Sequence, residues 1–322
     1  MATAIFNCEF DAILEDVNTS RVGQVSLLQG AHHGAGRLFS AIPMAKAFVA
    51  PAAVLSTSRR ISMGLDVVSP GHPHACGSHG GFAGPIGSRA SHIKSCSGLG
   101  RSIRAHDAVK NTLAHIAHKC GMTAALANTE QVIRAGGMEW KSDILAQNGQ
   151  EPFALDVKVI NLDSDTYLRS RSPSVEWITE RLRAKERDCR RLNPIRRAWC
   201  AQSGNNNFVP FVITSTGVMG ESARWFMHLV LARAKACGRS FMPTGQPDVA
   251  FSWNTLSATA YWSSRVSLEA LLTSAHVVNE IIVRDVAAAA ECVGRRPNPD
   301  PNATHREGLP AGLRFSRTRG GA

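Results

Sequence analysis

The feature that most constrains the fold is an Asn148-Gly149 turn between two segments of alternating apolar and polar residues. Asn-Gly favours the tight turn of a β-hairpin, because both of its positions readily adopt positive φ angles. The flanking segments, Trp140 to Ala146 and Phe153 to Ile160, are therefore predicted to be neighbouring strands. One face of the second strand carries only apolar side chains, those of Phe153, Leu155, Val157 and Val159.

Helical and strand patterns around this hairpin predict an α/β fold. Upstream, a short helix is expected over Ala45 to Leu55, a longer one over Ile103 to Cys120, and a first strand over Thr123 to Glu130. Downstream, a basic helix is predicted over Val175 to Trp199, and an edge strand containing Pro210 over Phe208 to Thr214. Two amphipathic helices follow, over Met219 to Cys237 and over residues 264 to 292. The order of helix, three strands, helix, strand and helix indicates an antiparallel meander with helices packed on the sheet.

Composition divides the chain into five regions. Residues 1–63 form a mixed N-terminal connector, and residues 64–102 form a loop segment rich in Gly, Ser, Pro and His. The α/β core is expected over residues 103–240, followed by a helical extension over 241–292 and a disordered tail over 293–322. The loop segment lacks long periodic runs, so a bound metal is one candidate for ordering it.

The charge balance favours a polyanionic partner. The 322 residues include 36 Lys and Arg against 25 Asp and Glu, which gives a net charge of +11. Nucleic acid is the commonest partner of such proteins, and the alternative is a basic but merely solvated surface. The sequence contains no uninterrupted apolar run of the roughly 20 residues that a membrane-spanning helix needs, and its N-terminus does not resemble a secretory signal. We therefore expect a nuclear or cytoplasmic protein without a membrane partner. The 8 cysteines are too sparse for a disulfide scaffold.

Two carboxylates and a lysine in the hairpin are suited to phosphodiester hydrolysis. Asp143 and Asp156 lie on neighbouring strands, so two side chains on the same face can share one Mg²⁺ or Mn²⁺ ion. Lys158 follows Asp156 by two residues and therefore lies on the same face, beside the attacking water. The pattern predicts Asp143, Asp156 and Lys158 as catalytic residues. The alternative is an amphipathic hairpin whose charges face solvent.

Two segments around these residues resemble a known nuclease family. Lys141-Ser142-Asp143-Ile144 and Leu155-Asp156-Val157-Lys158-Val159 are similar to the Lys/Arg-Pro-Asp and Asp-Val-x-Val motifs of the restriction-endonuclease-like domain. That PD-(D/E)xK domain lies at the C-terminus of some non-LTR retrotransposon polyproteins. The resemblance spans roughly residues 35 to 280 and includes four further segments, Leu38 to Pro43, Arg60 to Leu65, Ile103 to Asp107 and Phe208 to Gly220.

This resemblance implies a metal-dependent DNA endonuclease that nicks target DNA for a retroelement. The family's core is a helix, a three-strand meander, a helix and a strand, and its partner is the reverse transcriptase moiety of the parent element. The resemblance also implies Asp107 as an accessory ligand, the Val157 carbonyl as an extra ligand and Lys185 as a second position for the catalytic lysine. Ser142 replaces the usual proline, and no segment resembles a reverse-transcriptase active site. The alternatives are a catalytically inactive module that binds DNA or RNA and a non-functional remnant.

The predicted helix over Val175 to Trp199 is the densest cluster of positive charge. Its arginines suit a phosphate backbone, although they surround the helix and part of them is expected only to be solvated. The residues predicted to bind nucleic acid are Arg181, Arg183, Arg187, Arg190 and Arg191.

The loop segment carries a candidate zinc knuckle. His74 with Cys76 and His92 with Cys96 form two close pairs of ligand-type residues separated by a loop, which is the arrangement that tetrahedral Zn²⁺ uses. The resemblance agrees, because such nucleases carry a Cys/His knuckle before the Arg-His-Asp segment, here with His74 replacing the first Cys. The alternative is a His-rich loop whose knuckle is degenerate and empty.

Overall fold

The protein is described by a computed structural model, and within the described residues it is mixed α/β. The structure describes residues 25, 28, 29, 51–63, 65–67, 91–95, 101–124, 131–135, 137–168, 173–204, 207–237 and 258–294. Most of the predicted connector, most of the loop segment, the first part of the helical extension and residues 295–322 of the predicted tail therefore lie outside the described residues. Contacts divide the chain into two units, Met1–Ile282 and Val283–Ala322, and the site lies in the first.

The described strands are β1 (Thr123–Ala124), β2 (Gln131–Ala135), β3 (Met138–Ser142), β4 (Ile144–Asn148), β5 (Glu151–Ile160) and β6 (Phe208–Thr214). A four-stranded sheet in the order β1-β4-β5-β6 organises this unit. The strands β4 and β5 form the antiparallel hairpin, and β6 joins β5 in parallel. The strands β2 and β3 form a separate two-stranded sheet.

Helices cover both faces of the four-stranded sheet. The described helices are α1 (Ala52–Ser62), α2 (Ser91–Ser95), α3 (Arg101–Lys119), α4 (Asp165–Leu168), α5 (Val175–Leu192), α6 (Pro194–Ser203), α7 (Glu221–Ala236) and α8 (Ala258–Gly294). One face of the sheet shares its core with α3, α7 and α8. The other face contacts α5 and α6. Because both faces are covered, β5 and β6 are buried along most of their length.

The predicted hairpin is confirmed, and the strand before it is corrected. Asn148 pairs with Glu151 across the turn, so Gly149, with a φ of 63°, and Gln150 occupy its two central positions rather than Asn148 and Gly149. The expected single strand over residues 140–146 was wrong, because the chain leaves one sheet at Ser142 and enters the other at Ile144. Asp143 lies at this break.

The expected single helix over residues 175–199 was also wrong. It is divided into α5 and α6 at Asn193-Pro194. A proline disfavours helical backbone in the residue before it, and Pro194 is well suited to the first turn of a new helix. The side chain of Asn193 accepts a hydrogen bond of 2.8 Å from the Ile195 N–H and so caps α6.

Other elements match the prediction in type and differ in extent. The strand β6 has the predicted bounds and, among the described strands, lies at the edge of its sheet, as Pro210 indicated. It pairs in parallel with β5, and the connection between the two strands passes through three described helices. The predicted first strand retains only Thr123 and Ala124, and residues 125–130 lie outside the described residues. The helix predicted at residues 45–55 begins at Ala52 in the described part of the chain.

The segment Tyr261–Val283 of α8 is, among the described residues, long and apolar enough to span a membrane by length and composition. The core helix of a soluble protein passes the same test. Arg265 and Glu269 interrupt the apolar residues, and 56% of the most apolar window is buried inside the structure. Much of α8 thus belongs to the protein core.

A close approach between α8 and the turn after β6 requires glycine at position 217. Gly217 has a φ of 92°, and its carbonyl accepts a 2.6 Å hydrogen bond from the Ser267 hydroxyl. A Cβ atom at this position would lie 2.7 Å from the Ser267 carbonyl oxygen. Both the backbone conformation and the available space therefore exclude a side chain here.

Substituting Gly217→Ala should destabilise the protein more than Gly204→Ala does. Gly204 also has a positive φ, of 63°, but a Cβ atom there would meet nothing within 4 Å. We expect Gly204→Ala to lower the free energy of unfolding by about 1 kcal/mol, and Gly217→Ala by more than about 2 kcal/mol. Urea unfolding measures both values. Equal losses would show that the contact with Ser267 contributes nothing.

Candidate active site

Asp143 is fixed by the backbone of β5. Its carboxylate oxygen Oδ2 accepts a 2.6 Å hydrogen bond from the Val157 N–H. Its own N–H donates to the Leu155 carbonyl oxygen at 3.1 Å. The side chain of Asp143 is 16% exposed, so it is held close to β5 at the margin of the sheet.

The structure brings Asp156 and Lys158 to the same place. The Asp156 side chain is 4% exposed and lies close enough to Asp143 for that carboxylate to raise its pKa, in addition to the larger effect of burial. Lys158 Nζ is 2.8 Å from Asp156 Oδ1, and the Asn193 side-chain amide donates to Asp156 Oδ2 at 2.6 Å. The Lys158 side chain is 39% exposed, which places it at the open side of the cluster.

His106 on α3 provides a further contact to this cluster. Its Nε2 atom is 3.1 Å from Asp143 Oδ2, and its Nδ1 atom is 3.1 Å from Asp107 Oδ1. Lys110 Nζ lies 3.2 Å from the same oxygen of Asp107. Asp107, predicted as an accessory ligand, is thus connected to Asp143 through His106. A run of charged and imidazole side chains extends from α3 to β5.

The electrostatics favour an ionised Asp143. Burial alone would raise the pKa of Asp143, but His106, the Val157 N–H and the charge of Lys158 together hold this pKa below its usual value. Burial lowers the pKa of His106, and the carboxylates of Asp143 and Asp107 outweigh this effect and raise it. His106 and Asp143 therefore favour each other's charged forms.

Asp156 is pushed in the opposite direction. Its burial raises its pKa, the charge and hydrogen bond of Lys158 oppose the rise, and nearby Asp143 adds to it. Burial lowers the pKa of Lys158, whereas Asp156 and Asp143 raise it by a larger amount. Two carboxyl groups in one partly buried site thus differ in proton affinity, as is common where two carboxylates lie close together.

Ser142 occupies the position where the similar motif has proline. It is completely buried, and its hydroxyl oxygen has no hydrogen-bond partner among the described residues. The side chain therefore takes no visible part in the charged cluster.

Lys185 and the arginines of α5 have diverse surroundings. Burial and the charge of Asp156 raise the pKa of the Cys189 thiol, and Lys185 and Lys158 lie close enough to oppose the rise. Arg181 lies over the Trp177 ring at 5.7 Å, and Arg183 Nε is 3.2 Å from a carboxylate oxygen of Glu221. The remaining predicted contacts to nucleic acid, Arg187, Arg190 and Arg191, line one pocket together with Asp188 and Arg196.

The zinc prediction falls mainly outside the described residues. His74, Cys76 and Cys96 are not described, and His92 lies in α2. Within the described ranges, no group of three or more His, Cys, Asp or Glu side chains is arranged to hold a metal. Zinc remains a prediction. A metal beside Asp143 would have to combine the two carboxylates with a backbone carbonyl and water.

Sequence reasoning gave no role to His106 or Asn193. His106 was part of the segment that resembles the nuclease family, and the Asn-Pro pair at Asn193 carried a helix-boundary signal. No local pattern shows that either side chain reaches a carboxylate 37 positions away.

No protein-family model matches the chain, and no curated protein is significantly similar to it.

The contribution of His106 to stability should depend on pH. The pKa of His106 is raised above its ordinary value of 6.5, so its stabilising effect is fully present below that value. The effect is lost as the pH rises through the higher pKa of the folded state. We expect His106→Gln to lower the free energy of unfolding more at pH about 5.5 than at pH about 9, in urea titrations with EDTA.

The Asp143→Asn background provides the control for this measurement. With the charge of Asp143 removed, the dependence of the His106→Gln effect on pH should become smaller. An effect of equal size at both pH values in the original background would contradict a charged pair.

Two substitutions of Asn193 should separate its cap from its contact with Asp156. Serine can still cap α6 but has no amide to donate to Asp156, whereas alanine does neither. We expect Asn193→Ser to cost about 2 kcal/mol of unfolding free energy and Asn193→Ala about 1 kcal/mol more. Thermal and urea unfolding measure the two losses. A serine variant as stable as the original protein would show that the bond to Asp156 contributes nothing.

Proposed function

We propose that the protein is a metal-dependent DNA endonuclease that nicks one strand of target DNA for a retroelement. Its core would be restriction-endonuclease-like, and a reverse transcriptase of the parent element would be its partner. The observation that carries the proposal is the convergence of Asp143, Asp156 and Lys158 at the break between the two sheets. The sequence resemblance supports the same reaction.

The donor atoms at this site fit a hard divalent cation. Asp143 and Asp156 supply carboxylate oxygens, which Mg²⁺ and Mn²⁺ prefer. The N–H and C=O groups of one strand residue point to the same side, so the Val157 carbonyl points with its N–H toward Asp143. Each carboxylate oxygen has two lone pairs, so the bonds from Lys158 and Asn193 leave capacity for a metal. A bound ion would polarise the phosphate and lower the pKa of a bound water.

The residues of the chain would divide the remaining work. His106 keeps Asp143 ionised and holds it in position through Oδ2. Asn193 and Lys158 orient the two oxygens of Asp156. The exposed part of Lys158 is placed to orient the attacking water and to stabilise the negative charge that develops on the phosphate.

The second candidate is a catalytically inactive module that binds nucleic acid. One observation favours it: the two carboxylates already have hydrogen-bond and charge partners from the chain itself. Lys158, Asn193, His106 and the Val157 N–H together contact three of the four carboxylate oxygens. A cluster compensated in this way is stable without an ion, so a structural role explains its burial as well.

Nicking of supercoiled plasmid in Mg²⁺ or Mn²⁺ tests the proposal. We expect the protein to convert supercoiled DNA to the open circular form, and Asp143→Asn or Asp156→Asn to reduce the rate by more than about 100-fold. Lys158→Gln should reduce the rate at saturating DNA. Glu139→Gln is the matched control, because Glu139 is an exposed acid on β3 whose described partner is Arg134.

The same preparations separate the alternatives. Circular dichroism and gel filtration establish that each variant is folded. DNA binding that weakens with salt but is never accompanied by nicking would favour the binding module. A folded protein with neither activity would favour a remnant.

A further inference from the structure

The elbow between α5 and α6 forms a pocket lined mainly by arginine. The pocket has a volume of about 440 Å³ and is lined by Arg187, Asp188, Arg190, Arg191 and Arg196. Four arginines and one aspartate therefore line this space. Three of the arginines lie on the last turns of α5, and Arg196 comes from the first turn of α6. The bend at Pro194 places the two sets around one space.

The side chains of this pocket are suited to a phosphate group. Guanidinium groups are planar, are charged at every physiological pH and bind phosphate oxygens in pairs. Arg190 is oriented by a 2.9 Å hydrogen bond to the Ser222 hydroxyl on α7. Asp188 is 3.8 Å from Arg191 in an exposed pair, which is a weak interaction and offsets only part of the positive charge.

The pocket is connected to the candidate active site through Asn193. This residue ends α5, caps α6 and donates to Asp156, all at the elbow. Cys189 is buried on α5, about half a helical turn round from Arg187 and Arg191. Burial and the charge of nearby Asp156 raise the pKa of its thiol, and Lys158 opposes the rise. The pocket and the carboxylates therefore lie on two sides of α5, and a helix with its side chains is about 10 Å across.

We propose that the α5–α6 elbow pocket binds a backbone phosphate of the nucleic-acid substrate at a position other than the cleaved one. A phosphate on the far side of α5 cannot also contact Asp143 and Asp156. It belongs to a neighbouring nucleotide or to the second strand, so the pocket sets how the duplex lies across α5. Asn193 keeps the elbow in a fixed position relative to Asp156 and thereby sets the register between the bound phosphate and the carboxylates.

This assignment rests on the proposed function for the identity of the ligand, but its test does not require cleavage. Binding of a fluorescent 20-base-pair duplex is measured by anisotropy in EDTA, at several KCl concentrations. The slope of log affinity against log salt counts the phosphates that the protein contacts. Nicking and the salt slope are therefore measured separately. A variant can lose nicking while its slope is unchanged, or lose slope while its nicking is unchanged.

Four variants of the full chain test the pocket. Arg191→Gln and Arg196→Gln should weaken binding and lower the magnitude of the slope by about 0.9 for each lost phosphate contact. Arg197→Gln is the matched control, because it removes the same charge from an exposed position on α6 outside the pocket. Asp188→Asn removes the acid that lines the pocket and should strengthen binding, which a merely unfolded variant cannot do.

Two results of the duplex titrations would overturn the proposal. One is that Arg197→Gln lowers the slope as much as Arg191→Gln and Arg196→Gln do, which would show a diffuse positive surface. The other is that Asp188→Asn leaves the affinity unchanged. Competition between inorganic phosphate and the duplex, at millimolar phosphate and constant ionic strength, is a further test. If phosphate displaces the duplex from the original protein but not from Arg196→Gln, a discrete pocket is supported. Competition that is unchanged in that variant counts against it.

Discussion

The hydrogen bond from the Val157 N–H to Asp143 determines the arrangement around the site. It spans 14 positions of the sequence and attaches the chain to β5 at the point where it passes from the two-stranded sheet to the four-stranded sheet. Asp143 replaces a strand partner for that N–H group, which allows the strand to end without leaving a buried donor unsatisfied. The same bond holds the carboxylate next to Asp156. The end of a strand and the centre of the candidate site are therefore one feature.

Charge compensation explains why such a cluster can be buried. Two carboxylates at short range repel each other, and burial increases the cost of ionising either one. Each carboxylate has its own basic partner, Lys158 for Asp156 and His106 for Asp143. As a result, Asp143 ionises readily, whereas Asp156 holds its proton more tightly. Unequal proton affinities of this kind are frequent at sites that bind metals or move protons, and they also occur in purely structural clusters.

The sequence predicted the local part of this arrangement and not the distant part. Asn148-Gly149 indicated the hairpin, and alternation placed Asp156 and Lys158 on one face, where they form an ion pair. Strand alternation did not reveal the break at Asp143, because the residues on both sides of it have strand character. The Asn193-Pro194 pair did carry a boundary signal, which the run of arginines and apolar residues around it obscured. His106 and Asn193 reach the carboxylates through tertiary packing, for which a single sequence contains no periodic pattern.

The two hydrogen bonds that hold the carboxylates differ in sequence separation, and this difference affects how the site can open locally. The contact between Asp143 and β5 is formed within a hairpin, whereas the bond from Asn193 to Asp156 joins positions 37 apart and depends on the α5–α6 elbow. Fluctuations that detach the elbow would leave the hairpin paired, since elements of a fold open with different free energies. In such an open form Asp156 would lose its amide partner while remaining beside Asp143. Opening of the elbow would thus admit water to the more deeply buried carboxylate without separating the pair.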